Sequence, residues 1–257
     1  MKQTDSPIAV FDSGVGGISV LRELVHLMPN ENYIFFGDSK RAPYGEKTLE
    51  EVRRLTEEHV TRMLSDGAKA VVIACNTATS ADVTILRDKF PLIPIIGIEP
   101  ALKPAVLSAK HPNVLVMATP MTIRERKFTK LMEQYKAEAQ IYPLACPGLV
   151  DYVERGELSG EGIETFFRKL FAPYEGIQMD AVVLGCTHFP FAKEAMRAVL
   201  GEVRFYDGGA GVARETKRRL AEAGLLNESE QEGQVRFESS EDTQDKLLLC
   251  QRLMKYK

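Results

Sequence analysis

The chain has 257 residues, 44% hydrophobic and 27% charged, with a net charge of −3. That is room for one large domain or two modest ones, each able to bury its own core without metal or disulfides. Neither half is strongly basic, which disfavours a nucleic-acid partner. No apolar run approaches the roughly 20 residues of a membrane span, so no membrane partner is expected. The N-terminal MKQTDSPIAVFDSG has too short an apolar stretch for a signal peptide, which points to the cytoplasm. Cys75, Cys146, Cys186 and Cys250 are widely separated, as are His26, His59, His111 and His188. Such spacing argues against zinc knuckles, a disulfide framework and a His-based metal site, so no metal is expected.

In chain order, short apolar runs alternate with amphipathic stretches. The runs are IAVF (8–11), YIFFG (33–37), AVVIA (70–74), IPIIGI (93–98), NVLVMA (113–118), AVVLG (181–185), VRFYD (203–207) and QVRF (234–237). Continuous Val/Ile-rich runs suit strands buried on both faces of a parallel sheet. Helices are expected over 18–28, ending before Pro29, and over 48–66, opened by a Thr48/Glu51 capping box and closed before Gly67. A further helix is expected from Thr122 and Glu125 to about Ala137, and the pattern DKLLLCQRLM reads as a final helix with Cys250 in the core. The alternation predicts an α/β fold.

AVVIACNT (70–77) returns as AVVLGCTH (181–188). IAVFDS and VLVMAT stand upstream of the two copies, and IPIIGIEP and VRFYDGGA downstream. Two pseudo-symmetric α/β domains with mainly parallel sheets, facing a shared cleft, would give this order. The predicted boundaries are 1–98 plus 207–257 for the first domain and 99–206 for the second. Cys75 and Cys186 then occupy equivalent places past the carboxyl end of a central strand, where open α/β sheets bind ligands.

FDSGVGG (11–17) is not a dinucleotide fingerprint, because GxGxxG from Gly14 needs Gly or Ala where Ser19 stands. It leaves a glycine turn before a helix, able to hold a carboxylate, and a buried Asp12 that needs a partner or a task. Each candidate thiol lies where a strand yields to a helix, where amides and the helix dipole lower a thiol pKa. Asn76 and Thr77 follow one, and Thr187 and His188 the other. His188 has an evident role beside Cys186, whereas His26, His59 and His111 read as structural. Two opposed thiols suit inversion of a carbon stereocentre: one removes a proton and the other returns it on the opposite face. Reacting distances of 3–3.5 Å would set the sulfurs roughly 6–7 Å apart, too far for a disulfide.

FDSGVGG (11–17), GDSKRAPYG (37–45), ACNTATS (74–80), LVDYVERGEL around Glu154 and GCTHFPF (185–191) resemble the glutamate racemase family, part of the aspartate/glutamate racemase superfamily. The similarity runs over nearly the whole chain in the same order. It implies cofactor-independent interconversion of L- and D-glutamate, with glutamate as the small-molecule substrate and D-glutamate supplied to bacterial peptidoglycan. By that resemblance Cys186 abstracts the proton from L-glutamate and Cys75 from D-glutamate. Asp12 and His188 assist on their respective sides, and Glu154 lies near the site. Asp12, Ser13, Tyr44, Gly45, Asn76, Thr77, Thr187 and His188 hold the substrate. Met121, Gly148 and Gly208 depart from the family pattern and bear on fine specificity. Cys146, in ACPG near Glu154, reads as structural. The rival readings are a racemase acting on aspartate, a Cys186/His188 hydrolase, and a binding protein for small dicarboxylates. A homodimer is one arrangement the sequence leaves open.

Overall fold

The computed structural model describes residues 3–241 and 243–256. The first sheet is fed by β1 (Ile8–Asp12), α1 (Ile18–Leu27), β2 (Tyr33–Gly37), α2 (Leu49–Ser65), β3 (Ala70–Ile73), α3 (Asn76–Lys89) and β4 (Ile95–Gly97). There follow α4 (Leu102–Val106), β5 (Asn113–Ala118), α5 (Pro120–Arg124), α6 (Arg126–Tyr135), β6 (Gln140–Ala145) and α7 (Leu149–Glu154). The second sheet is completed through α8 (Glu161–Phe171), β7 (Ala181–Leu184), α9 (Lys193–Leu200) and β8 (Arg204–Asp207). The chain closes with α10 (Gly209–Glu222), β9 (Val235–Ser239) and α11 (Gln244–Met254).

Strand order is β4-β3-β1-β2-β9 in one sheet and β6-β5-β7-β8 in the other, with parallel pairings throughout the described residues. The fold is α/β, and the repeat read from the sequence is visible in its topology. The first four strands and the next four are ordered alike, and the registers agree. Ile8 faces Ala70 and Tyr33, while Val114 faces Ala181 and Ile141. Asp12 therefore corresponds to Ala118, Ser13 to Thr119, and Cys75 to Cys186.

The continuous apolar runs arise because both faces of each central strand are covered. Along β1, Ile8 and Val10 enter one cluster with Leu21 and Leu24 of α1 and Leu220 of α10, while Ala9 and Phe11 enter another with Val52 and Leu55 of α2 and Leu86 of α3. The second sheet repeats the sandwich. Leu115, Met117, Val182 and Leu184 meet α7, α8 and α9, and Val114, Val116, Ala181 and Val183 meet α4 and α6. Each fully buried Val, Leu or Ile contributes about 1.5–3 kcal/mol. At the far end of the first sheet the buried Lys69 ammonium meets the buried Glu31 carboxylate, whose other oxygen accepts the Asn227 N–H at 2.9 Å.

Two local expectations are corrected. The helix expected from Thr122 and Glu125 begins earlier. Thr119 is the cap, accepting the Thr122 N–H at 3.3 Å with Pro120 in the first turn, and Glu125 is extended at φ −70°, ψ 136°, splitting the segment into α5 and α6. The strand β6 is absent from the apolar runs. QIYPLA contains Pro143 and a polar Gln140, a composition tolerated because β6 is an edge strand.

Candidate active site

The carboxyl ends of β1, β3, β5 and β7 converge. Asp12, the last residue of β1, is fully buried; its Oδ2 accepts the Gly14 N–H at 3.1 Å and its Oδ1 the Thr187 hydroxyl at 3.0 Å, across to the second sheet. Burial pushes the Asp12 pKa up, with the His188 charge and these hydrogen bonds pulling in the other direction. Cys75 caps α3: its sulfur accepts the Ala78 N–H at 3.5 Å and its thiol points to Ser13 Oγ at 3.4 Å. Burial, reinforced by the Asp12 charge, pushes the Cys75 thiol up to about 12, and the contacts with Ser13 and Ala78 offset only part of that. The depressed thiol pKa expected from a strand–helix junction is thus reversed here by desolvation. All four cysteines are free thiols.

On the facing side, Cys186 Sγ lies 3.8 Å from His188 Nδ1, and His188 Nε2 lies 2.7 Å from Glu154 Oε1. Burial would depress the imidazole, but hydrogen bonds to Cys186 and Glu154 and the Asp12 charge outweigh it, and the His188 pKa is raised well above its ordinary value. The Gly16 N–H also points at His188 Nε2, at 3.2 Å. With a proton on that nitrogen, the shorter charge-assisted bond to the carboxylate is the one that holds. Glu154 further accepts the Val15 N–H at 2.6 Å, the Ser39 hydroxyl at 2.9 Å and Lys246 Nζ at 3.0 Å. Burial would raise its pKa, yet His188, Lys246 and Val15 bring it down to about 2.

These contacts explain the glycine turn. A Cβ on Gly14 would sit 1.9 Å from Glu154 Oε1, and one on Gly16 2.2 Å from His188 Nδ1. Only bare backbone fits beneath the pair.

Asn76 and Thr77 are buried at the start of α3. Neither Asn76 amide atom has a hydrogen-bond partner. The Thr77 hydroxyl lies 3.1 Å from that of Thr119 and 3.4 Å from that of Thr122, themselves 3.0 Å apart, a buried hydroxyl cluster bridging the two sheets. Sequence reasoning missed Thr119 and Thr122. The signal was the alignment of IAVFDS with VLVMAT, which makes Thr119 the counterpart of Ser13. Gly45 packs on Thr119, where a Cβ would come within 2.5 Å.

Tyr44 is buried, and its hydroxyl donates to Asp38 Oδ2 at 2.7 Å. His59, read as structural, joins that oxygen at 3.1 Å. Burial would raise Asp38, but hydrogen bonds from His59, Ser240 and Tyr44 outweigh it and hold the carboxyl below its usual range. Cys146 follows β6 as Asp38 follows β2; it is buried, its thiol donates to the Leu144 carbonyl at 3.4 Å, and burial pushes its pKa up. Cys250 is packed in the core beneath α11, where burial pushes it up to about 12.

Met121, Gly148 and Gly208, singled out in the sequence, each have a local structural setting. Gly148 opens α7 at φ +81°, a conformation that favours glycine. Gly208 has no room for a side chain, since a Cβ would meet Ile98 Cγ1 at 2.7 Å and the Glu99 carbonyl at 2.8 Å. Met121 fills the cluster that holds Tyr44 and Cys75. No helix among the described residues is long and apolar enough to cross a membrane.

Residues 9–216 match the model of a family described as Asp/Glu/Hydantoin racemase. The chain is 48% identical over 255 residues to the glutamate racemase of Clostridium botulinum (strain Alaska E43 / Type E3), covering 99% of each. Among solved structures it is similar to Escherichia coli glutamate racemase in complex with L-glutamate and the activator UDP-MurNAc-ala, with TM-score 0.84, 31% identity and coverage of 96% and 95%. It is likewise similar to the glutamate racemase of Francisella tularensis subsp. tularensis SCHU S4 in complex with D-glutamate, with TM-score 0.84, 27% identity and coverage of 98% and 94%.

Proposed function

The chain belongs to the Asp/Glu/Hydantoin racemase family and is a racemase, and from that premise we propose that it interconverts L- and D-glutamate by a two-base reaction, one of Cys186 and Cys75 removing the Cα proton while the other delivers its own to the opposite face. One observation carries this reading. Two buried free thiols stand at equivalent positions of two repeated sheets, one beside Asp12 and Ser13, the other beside His188.

The proton and charge balance is as follows. His188 provides the cation next to Cys186, so the negative sulfur needed to start from L-glutamate belongs on that side. Cys75, its pKa pushed up to about 12, rests as a thiol. Cys186 takes the Cα proton and becomes a thiol, leaving the electron pair on Cα. Cys75 delivers its own proton to the opposite face and becomes the thiolate. Starting from D-glutamate, the roles reverse. Asp12 is near enough to Cys75 for its charge to hold that thiol protonated, and His188, 3.8 Å from Cys186 Sγ, is placed to exchange a proton with its sulfur as the charge moves.

Ser13, Thr77 and the unpartnered Asn76 amide are neutral donors for the carboxylates, binding an anion without a strong salt bridge that would compete for the thiolate, while the Thr187 hydroxyl is committed to Asp12 and contributes by position. A buried amide with no partner in the protein is best explained by a bond to a ligand. Tyr44 and Gly45 contribute through the shape of their turn, the Tyr44 hydroxyl being committed to Asp38. The halves that hold the two thiols are residues 1–98 with 207–257, and 99–206. We assign the D-glutamate to peptidoglycan synthesis in the cytoplasm, without a cofactor.

The test is loss of optical rotation from L-glutamate with the purified, dialysed protein and nothing added. Rotation is expected to decay to zero. The value of kcat/KM must be the same from either enantiomer, because the equilibrium constant between them is one. L-Aspartate, one methylene shorter, is expected to react about 10- to 200-fold more slowly. No decay with glutamate would refute the reading, and faster decay with aspartate would transfer it to that substrate.

A further inference from the structure

Glu154 lies at the end of α7, beside the second sheet, yet its partners other than His188 belong to elements of the first: Val15 of the glycine turn, Ser39 after β2, and Lys246 of α11. Lys246 makes the most extensive of these contacts. Its ammonium is 3.0 Å from Glu154 Oε2, 3.1 Å from the Glu154 carbonyl oxygen and 3.3 Å from Glu241 Oε2, which engages all three of its donors. The Glu154 carbonyl is one of the orphan acceptors at the C-terminal end of α7, where a cation is also favoured by the helix dipole. Two turns further along α11, Arg252 donates to the Gly156 carbonyl at 3.0 Å. Cys250 and Leu253 anchor the helix in the core of the first sheet.

We infer that Lys246 is a positioning residue for proton transfer: it holds Glu154, and through Glu154 the ring of His188, in line with Cys186. The inference rests on the two-thiol reading above, in which His188 serves Cys186. The line runs from Lys246 Nζ to Glu154 at 3.0 Å, from Glu154 to His188 Nε2 at 2.7 Å, and from His188 Nδ1 to Cys186 Sγ at 3.8 Å. Glu154 shares its charge between two cations. Without Lys246 it would serve His188 alone, holding the imidazole proton more tightly while losing the anchor that fixes the ring. The ionisable groups facing this line are Asp12 from β1, Cys186 after β7, Cys250 from α11 and Glu241 before α11. None of them supplies a second cation to Glu154.

The test uses the full-length protein as Lys246→Gln and Lys246→Arg, with the parent assayed alongside. In Lys246→Gln, kcat is expected to fall about 10-fold in each direction, equivalent to about one pKa unit, with KM within about 2-fold. The His188 titration, followed by ¹³Cε1 NMR, is expected to move to higher pH because a nearby positive charge has gone. Lys246→Arg, which keeps the charge, should restore both readouts. Unchanged kcat and an unmoved His188 titration in Lys246→Gln would overturn the inference. So would a lower melting temperature, or failure to fold, with the His188 titration unmoved or unmeasurable and Lys246→Arg no better. An inactive parent would instead refute the racemase reading, and the titration would still decide the role of Lys246.

Discussion

Cys75→Ala and Cys186→Ala should each lower racemisation about 10³- to 10⁴-fold, the upper part of the range for a positioned acid or base. In the two-thiol reading the loss is large because the two sulfurs do different work in one turnover, and a methyl group leaves no acid or base on that face of the carbon. Each variant should nevertheless retain half of the chemistry. In D₂O, Cys75→Ala keeps Cys186 and exchanges the α-proton of L-glutamate with retention, giving deuterated L-glutamate and almost no D-isomer. Cys186→Ala does the same to D-glutamate through Cys75. Following the Cα proton by NMR, with chiral separation of the products, distinguishes the two. A fully active Cys75→Ala would instead leave Cys186 and His188 as a hydrolase-like pair with Cys75 a bystander.

His188→Asn should lower kcat about 10²- to 10³-fold, within the range for a lost proton-transfer partner, with a smaller change in KM. Asparagine can still donate to Glu154 but cannot hold the mobile proton beside Cys186. The decline in kcat/KM must be identical from L- and D-glutamate, since no substitution alters the equilibrium between them. The variant also changes stability against pH. The Glu154 pKa lies at about 2 rather than its ordinary 4.5, so its contribution is present above pH 4.5 and lost as pH falls towards 2. His188 contributes in the opposite sense. Its raised pKa stabilises the fold below its ordinary 6.5, and that stability is lost as pH climbs through the folded value. Replacing His188 removes both halves of this coupling. Urea titrations from pH 2 to 10 should therefore show a shallower acid limb and a shallower alkaline one, the Lys246 contribution to Glu154 remaining.

The edge strands β4, β8 and β9 left short apolar runs in the sequence, and the fold was most legible where a strand is covered on both faces, because there burial writes a continuous apolar run. β1, β3, β5 and β7 are such strands, and the thiols that follow β3 and β7 were legible with them. β6 was missed because an edge strand needs neither unbroken hydrophobicity nor a full set of N–H donors, and Pro143 disguised it. The repeat could have recovered it, since β2 has to have a counterpart. The same alignment would have picked out Thr119 opposite Ser13. Lys246 left no such trace: a lysine in an amphipathic helix is ordinary, and its meaning comes from the packing of α11 against α7, a contact between residues 92 positions apart. The Cys75 pKa was misjudged for a related reason. The local motif supplies the amide of Ala78, but the opposing desolvation comes from the tertiary enclosure and the charge of Asp12.

The most direct measurement of the two-thiol account is the position of deuterium early in the conversion of L-glutamate in D₂O. Two opposed thiols predict that the first D-glutamate formed carries deuterium at Cα while the remaining L-glutamate stays protiated, because the proton removed by Cys186 is not the one delivered by Cys75. Label appearing in L-glutamate as fast as in D-glutamate, or D-glutamate retaining the substrate's protium, would mean that one group serves both faces and would contradict it.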